Sequence, residues 1–469
     1  MSTETKETIK KIGLFTLIAF CMGDTIGAGI FSTLPLMVGN AGSGIGWVWV
    51  GAVSLTIFVN IPSVLPSSSL PCPSASYTIP CRLLNPYIGF FELVNMMNYF
   101  LILGLICLFY ASYVAILIPG INQTVVALAV LIVFWIINII GVEMGTVVQN
   151  VLVVLLAVAL VMYIVIGVPH VSSENLTFGD VIAPEISFAG FCAALAMGYT
   201  CLGGSFTGCL VLGDRVRNPK KTLILGGCLT AIIVGVLYGG ISIVTCGITD
   251  TGAGDLPVLG DIAKTFMPGP AWYYFMICGA LFAMMSTINA VILSVGYRFD
   301  TMAADGIFPG FFDKKSRFGT KPICISIAPI LAVFMILFNL PIDMLITACA
   351  VLAVLGGILR LLPVLILPKR YPHTYKHALI SLPTGALWFW VITAIVILAV
   401  VSISTILSTN ATIWISAFGT LAAMYIYFLI RIRYAKGKGI DVYANMSADY
   451  PEWDEREAEY AAEDEAAGK

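Results

Sequence analysis

Charge is what this sequence has least of. Asp, Glu, Lys and Arg make up 11% of its 469 residues, against roughly 25% in a soluble domain, while 59% are hydrophobic and mean hydropathy is +0.97. Such a chain cannot clothe itself in water, so a soluble globular protein is excluded. Histidine is scarce too. There are three, none inside an apolar run, and no HExxH or GxSxG occurs, which argues against a membrane-embedded enzyme with a zinc or serine centre. His373 and His377 are spaced i, i+4 but lack further ligands and read as ordinary loop residues. The twelve cysteines include no CxxC pair and read as small buried apolar residues.

What is there is a series of long apolar runs. A hydrocarbon core about 30 Å thick needs about 20 residues at 1.5 Å rise per residue. Twelve runs meet that length: 12–38, 45–70, 86–118, 123–141, 146–168, 187–213, 222–247, 271–298, 322–339, 342–367, 383–407 and 411–431, called spans 1 to 12 below. With the amino terminus in the cytoplasm, twelve spans place 23 of the 24 Lys and Arg residues on the cytoplasmic side, leaving only Lys264 outside. Both termini are therefore expected to be cytoplasmic in a multi-pass protein of the cell membrane. The formal net charge of −2 carries less information than this asymmetry. The first run is too long for a signal-peptide core and lacks a small-residue cleavage site. Sequons at Asn122, Asn175 and Asn410 fall in expected outer loops. From Asp441 to Lys469 ten acidic residues face only Arg456 and Lys469, which reads as a solvated tail with a helix around 452–462; a cytoplasmic partner docking on it is the alternative.

Span 1 contains GDTIGAGIF, residues 23–31, with the only charged side chain between Ile12 and Cys81. A charge in hydrocarbon costs at least about 2.5 kcal/mol, so Asp24 should face protein or water. Gly27 and Gly29 each weaken a helix by about 1 kcal/mol relative to alanine. An unwound helix at membrane depth is tolerated only where it lines a cavity. A glycine pair can also mark a close helix contact. Span 6 weighs against that, because Gly203, Gly204 and Ser205 interrupt it in the same way. Breaks in the first and sixth spans are what a five-plus-five inverted repeat produces, with a binding site between them and alternating access around it. The first repeat would occupy 12–168 and the second 187–367, after a short amino-terminal segment, 1–11. Two added helices follow in 383–431, then the tail, 432–469.

Such a site suits an amino acid. The N–H groups at Gly27, Ala28 and Gly29 begin a half-helix whose positive end attracts a carboxylate, worth roughly 0.3–2 kcal/mol beyond the hydrogen bonds. Unpaired carbonyls near Gly23–Thr25 and Cys201–Gly203 can accept from an ammonium. A channel or receptor is a further alternative, against which the paired breaks argue.

Three segments together resemble the amino acid–polyamine–organocation family of permeases, over about Lys10 to Pro368. GAGIF in span 1 looks like its GSGIF loop. GDRVRNPKK, closing span 6, is similar to its acidic-acidic-x-x-Asn-Pro signature, with Asp214 as first acid and Arg215 in place of the second. MAADGIFP, 302–309, resembles its MARDGxxP segment, with Ala304 in place of the Arg. PSASYTIP around Tyr77 lacks the paired glycines usual before that tyrosine. The resemblance implies the leucine-transporter fold: an all-α membrane protein of twelve transmembrane helices, with helices 1 and 6 broken, that moves amino acids as symporter or exchanger. It implies substrate contacts at Thr25, Ile26, Gly27, Ala28 and Gly29, and at Cys201, Leu202, Gly203, Gly204, Ser205 and Phe206. Phe206 falls on the aromatic just after the second break. Cys201 falls where a bulky outer gate often stands, a role then open to Tyr199.

Asp24 occupies a position the family commonly fills with a small, apolar or amide residue. Counter-charge for a substrate amine, protonatable coupling group and structural cap all stay open, so polyamines or organic amines are an alternative substrate class. Glu92, near the cytoplasmic start of span 3, reads as snorkelling to water. Trp135, Trp388 and Trp390 read as packing or interfacial residues. Several members carry a lysine in span 5 in place of a sodium ion; here span 5 has no charge and Leu156 falls near that position. Ser286 and Thr287 could instead join carbonyls of Gly23 and Ile26 around Na⁺, or simply bond their own helix. The expected partners are a small amino acid, most simply a neutral one, and the lipid bilayer, with Na⁺ or H⁺ for coupling; neither nucleic acid nor a cofactor is expected.

Overall fold

A computed structural model describes residues 11–172, 176, 187–249, 259–338, 356–407 and 411–468. The described residues are helical throughout, with no strand beyond an isolated bridge between Ile12 and Val216. Nine helices among them are long and apolar enough to cross a membrane. Pro322–Phe338 is shorter, and Ala411–Lys436 ends in Arg431, Arg433 and Lys436. Most of span 10 lies outside the described residues, as do Asn175 and Asn410. Asn122 is exposed and caps Gln123–Ile140 through its side-chain oxygen.

Lipid offers no hydrophobic drive for one helix to meet another, so close packing has to do it. Span 2 (Ile45–Ser69) and span 7 (Pro219–Ile248) lie along one another, and Gly235 leaves room for Val53 where they meet. The Trp49 indole then donates to Ser242 at 2.8 Å. Spans 3 and 8 touch in the same way, as do 4 and 9, and the halves of span 1 lie against the pieces of span 6. Span 8 runs Gly269–Ala304 with a π-helical turn, Phe275–Leu281, a feature often found beside functional sites. A short helix, Ala75–Leu83, which the sequence pattern does not suggest, lies between spans 2 and 3.

The start of span 1 is tied to the close of span 6. The Ile12 N–H donates to the Arg215 carbonyl at 2.8 Å, the Arg217 N–H returns to Ile12 at 3.0 Å, and Lys11 donates to the Asp214 carbonyl at 2.6 Å. Thus the signature-like GDRVRNP segment holds both broken spans at one end of the bundle. Arg82, Lys321 and Arg370 belong to this basic end as well.

The tail is not a solvated extension. Its helices, Val442–Ser447 and Pro451–Ala466, lie against the basic end. Trp453 is 1% exposed and donates to the Pro71 carbonyl at 3.3 Å. Arg456 bonds Ser69, Arg82 bonds the Ala448 carbonyl and lies over the Tyr450 ring, and Arg370 pairs with Asp449. Glu457 accepts from the N–H groups of His373 and Thr374, capping the short helix Pro372–Lys376. Asp464 sits between His373 (2.9 Å), Lys376 (2.8 Å) and His377 (3.3 Å). An acidic helix stays in water only when nothing cationic faces it, and here a basic loop does.

Hydrogen bonds from His373 and Lys376 hold the Asp464 carboxyl well below its ordinary 3.8. A depressed acid contributes stability that is present above its unfolded value and lost as pH falls through the folded one. The Asp464 carboxylate should therefore not lose its contribution to docking as pH falls from neutral to about 4. Asp464→Asn should increase proteolytic cleavage and amide exchange of 442–466 across that range, with helices elsewhere unchanged. Equal protection in mutant and wild type would contradict the clamp.

Candidate functional site

Both breaks are present. Span 1 is helical over Leu14–Thr25, leaves helical geometry at Ile26 (ψ 83°) and Gly27 (φ −117°, ψ −146°), and resumes at Ala28–Ala41 without a side-chain cap. Span 6 is helical over Phe188–Cys201, turns through Leu202 and a tight 3₁₀ segment, Gly203–Phe206, and continues as Thr207–Val211. The helix termini that the glycines create lie beside each other. A Cβ on Gly204 would stand 2.7 Å from the Asp24 carbonyl carbon and oxygen, so only glycine lets span 6 rest on the Asp24–Thr25 peptide. The Tyr238 hydroxyl, from span 7, donates to the Thr25 carbonyl at 3.4 Å, and the Thr25 hydroxyl returns to Cys21 at 2.6 Å.

The second half of span 1 meets the first half of span 6 at Cys201. Its sulfur is 3.2 Å from the Thr33 hydroxyl and would lie 3.7 Å from a Cβ on Gly29. Gly203 is exposed, with open space where its Cβ would be. The Ser205 hydroxyl is buried without a hydrogen-bond partner among the described residues. Leu202 is buried, and Phe206 packs on Gly227 of span 7. Tyr199 is half-buried, its hydroxyl bonded to Asn60. Asp24 is half-buried, with its carboxylate bonded by Thr207 and within the field of Arg298.

Four residues that the sequence suggests as cation ligands converge, with a fifth group it does not suggest. The Thr287 hydroxyl is 2.8 Å from the Gly23 carbonyl oxygen, 3.2 Å from that of Ile26 and 3.1 Å from that of Ala283. Ser286 donates to Ala283 at 2.8 Å. Gly27 permits the approach, since its Cβ would stand 2.7 Å from the Thr287 hydroxyl. One hydroxyl proton among three carbonyls leaves acceptor capacity over, so these residues fit a hard monovalent cation with oxygen ligands. From span 5, the Gln149 side chain occupies the place of a Cβ on Gly23; Leu156, about two turns on, is packed in the apolar core.

Glu92 does not snorkel. It is 4% exposed, 3.2 Å from Arg298 and 3.0 Å from Arg360, and Arg298 is itself fully buried over the Tyr99 ring. The apolar interior leaves a carboxylate no cheaper alternative to pairing. One acid and two arginines within spans 3, 8 and 10 are a legible signal of mutual pairing, masked by the nearness of each to a span end. Just past span 8, Asp305 accepts from Tyr77 at 2.7 Å and pairs with Arg82 at 3.2 Å. Burial raises its carboxyl, although Arg82 and Tyr77 pull the other way. The MAADGIFP and PSASYTIP segments, far apart in sequence, are thus one buried polar contact.

Among known proteins, a stretch of 137 residues is 27% identical to an uncharacterized protein of Methanocaldococcus jannaschii, covering 27% of this chain and 30% of that protein. The match therefore spans less than a third of that relative. The sequence profile of the amino acid permease family matches residues 12–423. The chain belongs to the amino acid permease family, a family of transporters, and nine helices among the described residues are long and apolar enough to cross a membrane.

Proposed function

We propose that this permease carries neutral amino acids by alternating access, with the substrate held between the two breaks. The observation that carries the reading is the seat of Gly204 on the Asp24–Thr25 peptide, which brings two helix interruptions together inside one bundle. Thr25 to Gly29 and Cys201 to Phe206 would line the substrate, and the start of Ala28–Ala41, which has no side-chain cap although the Gly27 N–H donates to the Thr25 carbonyl at 3.1 Å, would receive its carboxylate. Open space at Gly203 and the Ser205 hydroxyl, which has no partner among the described residues, leave room and one hydrogen bond for the amino end. The contacts of spans 1 with 6, 2 with 7, 3 with 8 and 4 with 9 are those that two five-helix repeats related by a pseudo-two-fold axis would make, and twelve spans with both termini in the cytoplasm fit the basic end. Tyr199 and Phe206 would act as gates.

Gly23, Ile26, Ala283, Ser286 and Thr287 would hold a sodium ion, which supplies charge to lock the first half of span 1 against span 8. Asp24 favours a second substrate reading, an organic amine, because its carboxylate lies at the break, where the neutral Thr207 hydroxyl bonds it and Arg298 acts on it through its field. Uptake into liposomes of a panel of amino acids and amines, with and without Na⁺ and a pH gradient, separates these. Neutral amino acids should outcompete glutamate and simple amines, and Asp24→Asn should alter ion dependence more than abundance. Selective loss of amine transport in that mutant would favour the second reading, and strong competition by glutamate would contradict both.

A further inference from the structure

Gln149 is 1% exposed, yet its Nε2 has no hydrogen-bond partner among the described residues. That nitrogen points at Gly23, whose carbonyl is one of the three grouped around Thr287. The opposite end of the same side chain is held. Asn289 of span 8 donates from Nδ2 to Gln149 Oε1 at 2.8 Å and to the Gly145 carbonyl at 2.9 Å. Asn138 of span 4 donates from Nδ2 to Asn289 Oδ1 at 2.9 Å and to the Phe134 carbonyl at 2.8 Å, and its own Oδ1 has no partner among the described residues. Three buried amides therefore form a line across spans 4, 8 and 5, with an idle acceptor at one end and an idle donor at the other, beside Gly23.

A half turn of an amide exchanges its oxygen and nitrogen with little change of shape. If all three turn, Gln149 Nε2 donates to Asn289 Oδ1 and Asn289 Nδ2 donates to Asn138 Oδ1, so the line stays connected. Gln149 Oε1 then faces Gly23. This second arrangement gives up the bonds to Gly145 and Phe134, so without a ligand the first is preferred. A cation beside Gly23 reverses the preference, because a donor repels it and a carbonyl oxygen binds it. A cavity of about 870 Å³ lined by Lys11, Arg215, Asp300 and Lys321 of the basic end also has Gln149 in its wall.

We propose that Asn138, Asn289 and Gln149 form a two-state amide relay, in which Asn138 and Asn289 position Gln149 so that it presents an oxygen to a cation at the span 1 break only when the ion is bound. The relay rests on the sodium reading of the Gly23–Thr287 cluster. It is tested on purified full-length protein by thermal stability against NaCl, with choline chloride as control. Wild type should be stabilised by Na⁺ alone. Gln149→Met should raise the half-effective Na⁺ concentration at least tenfold, and Gln149→Glu, which has only acceptors, should lower it. Asn138→Leu, remote from Gly23, should also raise it, an effect a merely local role of Gln149 would not give. Unchanged half-effective concentrations in Gln149→Met and Asn138→Leu overturn the relay while leaving the sodium site standing. Absence of Na⁺ stabilisation in wild type overturns the sodium reading and the relay with it.

Discussion

Gly204→Val is expected to cut uptake at least about 100-fold while the chain still inserts, because misplacing reacting or binding groups by about 1 Å already costs that much. The added Cβ would fall 2.7 Å from backbone carbon and oxygen of Asp24 and 2.8 Å from the Thr25 nitrogen. Backbone cannot swing aside as a flexible side chain would, so the two broken spans must part. Gly385→Val, in span 11 and away from both breaks, is the matched control. Nothing lies within 4 Å of a Cβ there, and uptake should stay near wild type when normalised to surface abundance. Equal uptake by Gly204→Val and wild type would show that transport does not need the contact between the breaks.

Glu92→Leu should act on stability instead. Removing the carboxylate leaves Arg298 and Arg360 facing one another inside the bundle, and breaking a buried pair by deleting one partner costs about 3–5 kcal/mol. Folded protein recovered in detergent should fall sharply. Glu92→Gln keeps the hydrogen-bonding oxygen but not the charge, and should lie between Glu92→Leu and wild type. Thermal stability of Glu92→Leu within a degree or two of wild type would show that the arginines are paired some other way.

How far the sequence can be read depends on what each residue type demands. Gly27, Gly203 and Gly204 announce the breaks only as a set, because glycine pairs also serve helix contacts, as Gly226–Gly227 does in the unbroken span 7, whereas interruptions in the first and sixth runs together match an inverted repeat; the helix ends fall within a residue or two of them. Thr287 can be placed near Gly23 only through the family likeness; Ala283 contributes a main-chain carbonyl, which leaves no mark in a sequence. The tail misleads because composition describes a segment alone, whereas Trp453 among carboxylates and the His373–Lys376–His377 face opposite are visible complements. Glu92 misleads by position: near a span end it has water within reach, and its partners come from sequence stretches more than 200 residues away. Gln149 is invisible for a third reason, since its role follows from an unmet hydrogen bond rather than from residue type.

A carrier with one substrate site between the breaks of spans 1 and 6 differs from a pore in how it responds to substrate on the far side, and counterflow reads that difference. Liposomes containing the purified protein are loaded with an unlabelled neutral amino acid, diluted, and given a trace of the labelled form outside. The carrier should give transient accumulation of label above equilibrium, abolished by Gly204→Val and retained by Gly385→Val. Label that merely equilibrates, at a rate independent of what was loaded inside, would mark a pore and contradict alternating access.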